Sequence, residues 1–94
     1  MRLVWTRPAA RDLEAIGDYI ARENPTAAGR IIQRIHTRTQ DLVAHPDIGR
    51  TGRVGNTREL VITSTRFIVV YRVGKETVEI LAVFHSARRW PETF

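Results

Sequence analysis

The chain has 94 residues, 43% hydrophobic and 27% charged, which suits one globular domain spanning 1–94 and argues against wholesale disorder. The absence of cysteine excludes disulfides, thiolate chemistry and cysteine-based zinc sites, and no apolar run approaches the roughly 20 residues of a membrane span. Fourteen of the fifteen basic residues are arginine, and of the net charge of +5 the segment 49–94 holds +4 (eight basic residues against four acids), so the expected partner is anionic: nucleic acid or an acidic protein.

The first segment, MRLVWTRPAARDLE, has too short an apolar stretch for a signal peptide, and the expected location is the cytoplasm. RLVWT (2–6) reads as a short strand. Ala9, Leu13, Ile16 and Ile20 then recur at a helical period, with Thr6 as cap, Pro8 in the first turn and Asp12 near the positive end of the dipole. Asn24-Pro25 restarts the pattern. Ala28, Ile31, Ile32, Ile35 and Leu42 form the buried stripe of a second helix, which His45-Pro46 ends because the residue before proline avoids the α region. So short a joint makes the two helices an antiparallel hairpin. HPDIGRTGRVGNTR (45–58) holds three of the six glycines and reads as a loop. The runs ELVI, FIVVYRV and TVEILAVF, separated by TSTR and GKE, read as a meander of antiparallel strands. The expected fold is α+β: a short N-terminal strand and an antiparallel two-helix hairpin packed on one face of an antiparallel β-sheet.

A register follows from the turns. With Gly74-Lys75 as a two-residue turn, Arg72 faces Thr77, Tyr71 faces Val78, Val69 faces Ile80 and Phe67 faces Ala82. Alternation then puts Phe67, Val69, Tyr71, Val78, Ile80, Ala82 and Phe84 on the helix-facing side. Arg66, Ile68, Val70, Arg72, Thr77, Glu79, Leu81, Val83 and His85 fall on the other side, which is mixed and therefore expected to be open. If Ser64-Thr65 makes the preceding turn, Glu59 and Val61 join that open face.

His85 ends the last strand on this expected open face, near Arg66. A histidine among arginines can act as acid or base in RNA cleavage while the arginines hold the phosphate; equally, its ring can hydrogen-bond backbone at a strand end. Arg50, Arg53 and Arg58 sit among glycines in a loop that can approach phosphates, though it lacks the lysine and hydroxyl of a Walker loop; equally, the loop is a solvated connector. Arg30, Arg34 and Arg38 lie at i, i+4 and i+8 on the second helix, with Asp41 placed to pair Arg38; this is either a solvated face or a surface for an acidic partner. Trp90-Pro91 closes the sheet edge, or Trp90 is an exposed anchor. No metal-ligand spacing links His36, His45 and His85, and no cofactor is expected.

Taken together, VWTRPAARDLEAIGDYIARENPTAA, HPDIGRTGR, TRELVI, FIVVYRV and VEILAVFHSARRWP resemble the RelE/ParE superfamily of bacterial toxin–antitoxin modules over essentially the whole chain. The resemblance implies a growth inhibitor neutralised by a small cognate antitoxin. RelE-like members cut mRNA on the ribosome; ParE-like members poison DNA gyrase. Where the ribonuclease branch carries basic residues on the second and third strands of the sheet, this chain has Glu59, Val61 and Ile68, and its double arginine and Trp-Pro ending look ParE-like. The favoured expectation is therefore a gyrase-directed toxin whose target- or antitoxin-binding residues are Arg50, Arg53, Arg58, Arg66, Arg72, His85, Arg88, Arg89 and Trp90. The alternative is a ribosome-dependent endoribonuclease using His85, Glu59, Arg58, Arg66 and Arg88.

Overall fold

A computed structural model describes residues 1–87. Strand β1 (Arg2–Trp5) leads into helices α1 (Arg7–Ala21) and α2 (Pro25–Ala44); β2 (Arg50–Thr51), β3 (Arg58–Val61), β4 (Phe67–Val73) and β5 (Thr77–His85) follow. The strands form one sheet in the order β1-β5-β4-β3-β2. This is the expected α+β fold, with one refinement: the meander is antiparallel, but β1 joins the edge of β5 in parallel, so the sheet is mixed.

The helix boundaries sit where the caps dictate. Thr6 Oγ1 accepts a hydrogen bond from Ala9 N at 3.4 Å and donates to Ile80 O at 2.7 Å, so one side chain caps α1 and ties it to β5. Asn24 Oδ1 accepts from Ala27 N at 3.0 Å, with Pro25 at the first helical position. Asp12 lies beyond the first turn of α1 and does not serve the helix dipole as expected. Its Oδ2 accepts instead from Val83 N at 3.0 Å, a contact 71 residues away in sequence. No helix among the described residues is long and apolar enough to cross a membrane.

The main core lies between helices and sheet. Ala9, Leu13, Ile35 and Leu42 from the helices meet Leu60, Val69, Tyr71, Val78, Ile80 and Val83 from the strands and Ile62 just past β3. Fully burying each large aliphatic side chain contributes about 1.5–3 kcal/mol, so the helical stripe and the strand alternation specify the same interface.

The β3–β4 register is the expected one: Glu59 pairs with Val70 and Val61 with Ile68. Ser64 makes the turn at φ 65°, in the left-handed region. The β4–β5 register differs in two ways. Gly74 N donates to Thr77 O at 2.8 Å, so the turn residues are Lys75 and Glu76 rather than Gly74 and Lys75, and Tyr71 pairs with Ile80. A two-residue slip leaves every side chain on its expected side. The second difference reverses sides. A β-bulge lets Val70 pair with Ala82 and skips Leu81, after which Val69 pairs with Val83 and Phe67 with His85. An extra residue inverts the period-2 alternation beyond it. Ala82 and Phe84 therefore move to the side away from the helices, and Val83 and His85 move to the helix side. The expectation that His85 stands on the face away from the helices is thus corrected.

That opposite face is also less open than expected. Val70, Leu81, Ala82 and Phe84 form a second buried cluster, and Ile68 is buried beside them. Of the apolar side chains there, Val61 stays exposed at 41%.

Candidate functional site

The arginine-rich segment is more than a solvated connector: it is a built structure. Its two-residue β2 carries too little pattern to read from sequence, yet it pairs Arg50 with Glu59 and Thr51 with Arg58. Gly52 N donates to Thr57 O at 2.8 Å, Thr57 Oγ1 donates to Val54 O at 2.6 Å, and Asn56 turns the chain at φ 60°.

Glu59 holds this hairpin. Its side chain is 2% exposed, yet its carboxylate collects four donors. Arg50 gives Nε and Nη2 to Oε1 at 3.0 and 2.8 Å, while Arg53 gives its backbone N–H and Nε to Oε2 at 2.8 and 3.3 Å. Burial by itself pushes the carboxyl pKa up. The Arg53 backbone bond, the Arg50 side-chain bond and the two positive charges outweigh it, so Glu59 stays ionised below its ordinary range. Both arginines keep about half of their side-chain surface in solvent, 54% and 47%.

Arg58 works on the inner side of the same segment. Its Nη1 donates to Gly49 O at 2.9 Å and Asp47 O at 3.4 Å, and its Nη2 lies 3.7 Å from Asp47 Oδ1. Beside it, the buried Tyr71 hydroxyl donates to Pro46 O at 2.7 Å and accepts from Gly49 N at 2.9 Å. A Cβ at Gly49 would lie 2.5 Å from that hydroxyl, so this position requires glycine. Burial raises the Tyr71 pKa, against the Gly49 hydrogen bond and the Arg58 charge that oppose it.

Arg72 pairs with Glu79 at 3.3 Å and lines a small polar cavity of about 530 Å³ with Arg58, Thr51 and Asn56. Arg66 and His85 lie elsewhere, at the rim of a largely apolar cleft of about 670 Å³ built by Ile16, Tyr19, Ile20, Ile31, Phe67 and Val83. The His85 ring meets Phe67 edge-on at 5.6 Å, and its Nδ1 accepts from Ala87 N at 3.2 Å. The backbone-bonded alternative for this histidine is therefore realised.

The expected set thus divides. Arg50, Arg53 and Arg58 gather around the hairpin and Arg72 neighbours Arg58, whereas Arg66 and His85 form a separate site. Arg88, Arg89 and Trp90 lie outside the described residues. Glu59 and His85 occupy opposite faces of the sheet, so the expected histidine–carboxylate pair is not brought together. Two contributions escaped sequence reading: the bond that Asp12 accepts from Val83, far away in the chain, and Tyr19, 72% exposed, whose signal is an aromatic outside the apolar stripe of α1.

The family model described as ParE toxin of the type II toxin-antitoxin system, parDE, matches residues 3–90. Y4kP of Sinorhizobium fredii is 43% identical over 91 residues, covering 97% of this chain and 94% of that protein. Toxin RelE2 of Caulobacter vibrioides is 37% identical over 87 residues, covering 93% and 97%. Among solved structures, a chain of the chromosomal ParDE system from P. aeruginosa superposes with a TM-score of 0.83 at 33% identity, covering 90% of this chain and 95% of its own.

Proposed function

The chain belongs to the ParE toxin family of type II toxin–antitoxin systems, and from that premise we propose that it inhibits growth by binding and poisoning DNA gyrase, and that a cognate antitoxin neutralises it. The separation of His85 from Glu59 by the sheet carries this reading. General acid–base cleavage needs both groups within hydrogen-bond reach of one substrate, and here one lies against α1 while the other is consumed by two arginines.

Association is what the hairpin is equipped for. Arg50 and Arg53 are anchored from behind by Glu59 yet half in solvent, so little side-chain entropy remains to be lost when they meet an acidic surface. Fixed guanidinium forks suit carboxylates, and a chain of net charge +5 is steered toward an anionic target. The apolar cleft under Arg66 and His85 suits a different occupant: an amphipathic antitoxin segment, apolar toward Ile16 and Phe67 and acidic toward the rim.

Purified protein added to a gyrase supercoiling reaction tests the reading. Inhibition at micromolar concentration is expected. Growth arrest on expression without any effect on supercoiling would sink it. A ribosome-dependent endoribonuclease is the second reading, favoured by Arg66 and His85 sharing one cleft and by the likeness to a protein named RelE2. It requires mRNA cleavage in a translation extract, abolished by His85→Ala.

A further inference from the structure

The arginine stripe on α2 takes no part in the surfaces above. Arg30, Arg34 and Arg38 project into one groove of about 780 Å³, closed on its other side by Ser64 and Thr65 of the β3–β4 turn. Successive members are about 6 Å apart along the helix axis, so the stripe spans about 12 Å. Like charges at this spacing work against the helix, so the stripe is not explained by helix stability.

Arg34 is held in place. Its Nε donates to Thr63 O at 2.6 Å and its Nη2 to Thr63 Oγ1 at 2.9 Å, which fixes the guanidinium plane at the groove's centre and leaves Nη1 out of both bonds. Arg38 is partly neutralised by Asp41 at 2.6 Å, and Arg30 is exposed. Three guanidinium groups against one carboxylate leave the groove at +2. Gln33, Thr37 and Ser64 add neutral donors, and Ile31 is the one aliphatic side chain in the lining among the described residues.

We infer that this groove binds the phosphodiester backbone of duplex DNA. Arginine also anchors protein interfaces, but in company with buried aromatic side chains, and among the described residues no aromatic side chain lines this groove. Phosphate contacts come from just this mixture of arginine, hydroxyl and amide side chains, in interfaces that are polar and strongly positive. The choice of DNA over RNA rests on the proposed function, since a protein acting on gyrase works beside duplex DNA. The groove shares no lining residue with the Glu59-anchored hairpin, so the two surfaces can be varied separately.

The test is fluorescence anisotropy with a random-sequence DNA duplex of about 20 bp and a matching RNA duplex, titrated between about 50 and 200 mM salt. The protein is compared with the double variant Arg30→Gln, Arg38→Gln, which leaves Arg34 and its turn contacts intact. Three phosphate contacts predict a contribution of about −2.7 to the slope of log K against log salt, of which the double variant loses about 1.8. An unchanged slope in the double variant overturns the inference. So does binding to the RNA duplex alone, or binding to poly-glutamate without binding to either duplex. Loss of slope in a variant that still inhibits supercoiling supports the groove independently of the hairpin. DNA binding through the stripe without any gyrase inhibition supports the groove while the gyrase reading falls.

Discussion

Replacing Glu59 by glutamine tests the anchoring of the arginine hairpin most directly. The carboxylate is buried and accepts four hydrogen bonds, three from guanidinium nitrogens and one from the Arg53 backbone N–H. Glutamine keeps the volume but turns one acceptor oxygen into a donor and removes the charge, so one of the two arginines faces an N–H₂ group. Breaking a buried ion pair by removing one partner costs about 3–5 kcal/mol when the remaining charge stays buried. Here both arginines are about half exposed and can turn to water. The expected loss is therefore smaller, about 2 kcal/mol, made up mainly of the Arg53 N–H and the side-chain bonds left without acceptors.

In a domain of this size that lowers the melting temperature by about 8–16 °C. The pH dependence gives a second signature. The folded carboxyl titrates below its ordinary value of 4.5, so its contribution is fully present above that value and is lost as pH falls through the lower folded one. The stability gap between the parent and Glu59→Gln, measured by urea denaturation, should be constant at neutral pH and close as the solution is acidified below 4.5. Trypsin adds a local readout: cleavage after Arg50 and Arg53 should appear under native conditions in the variant only. A loss under about 0.5 kcal/mol with both arginines still protected would refute the anchoring argument.

Tyr71→Phe removes the hydroxyl that joins Pro46 O to Gly49 N and should cost about 1–3 kcal/mol in urea denaturation. Because burial raises the Tyr71 pKa, its contribution is present below the ordinary value of 10.0 and lost as pH rises through the higher folded one, so the gap to the phenylalanine variant should narrow in alkali. Asp12→Ala leaves the Val83 N–H without its acceptor and should cost about 1–2 kcal/mol, with faster amide exchange at Val83 by NMR as the local check. His85→Ala should leave growth arrest intact under the gyrase reading, because the ring packs on Phe67 and bonds backbone; growth curves on expression decide this, and loss of toxicity with retained antitoxin binding would move the argument to the nuclease.

The elements themselves were legible because their signals are local. Thr6, Asn24-Pro25 and His45-Pro46 mark both helices, and three apolar runs mark the meander. The β3–β4 register was legible too, from where Ser64-Thr65 falls between two apolar runs. The next turn misled for a physical reason. Gly74-Lys75 reads as the central pair of the turn, yet no glycine among the described residues has the positive φ that a hairpin turn of that type asks of its first central residue. Gly74 closes the hairpin opposite Thr77, where an added Cβ would crowd the Thr77 hydroxyl at 3.2 Å.

The bulge is the feature with consequences for function, and nothing in LAVFH announces it. Its cause lies in packing. A continuous alternation would turn Leu81 outward and Ala82 inward, whereas the extra residue sets Leu81 and Ala82 together against Val70 on the face away from the helices. It also brings Val83 to the main core and its N–H to Asp12. Beyond Trp5, β5 has lost the pairing of β1, so that N–H would otherwise lack the partner that Thr6 and β1 supply further back. The same step carries His85 across the sheet. Away from Glu59 and against Phe67, the histidine loses the carboxylate that would have made it a base and gains an apolar cleft beside Arg66. One skipped residue thereby converts a strand-end constellation that reads as phosphate chemistry into two separate surfaces, each suited to association.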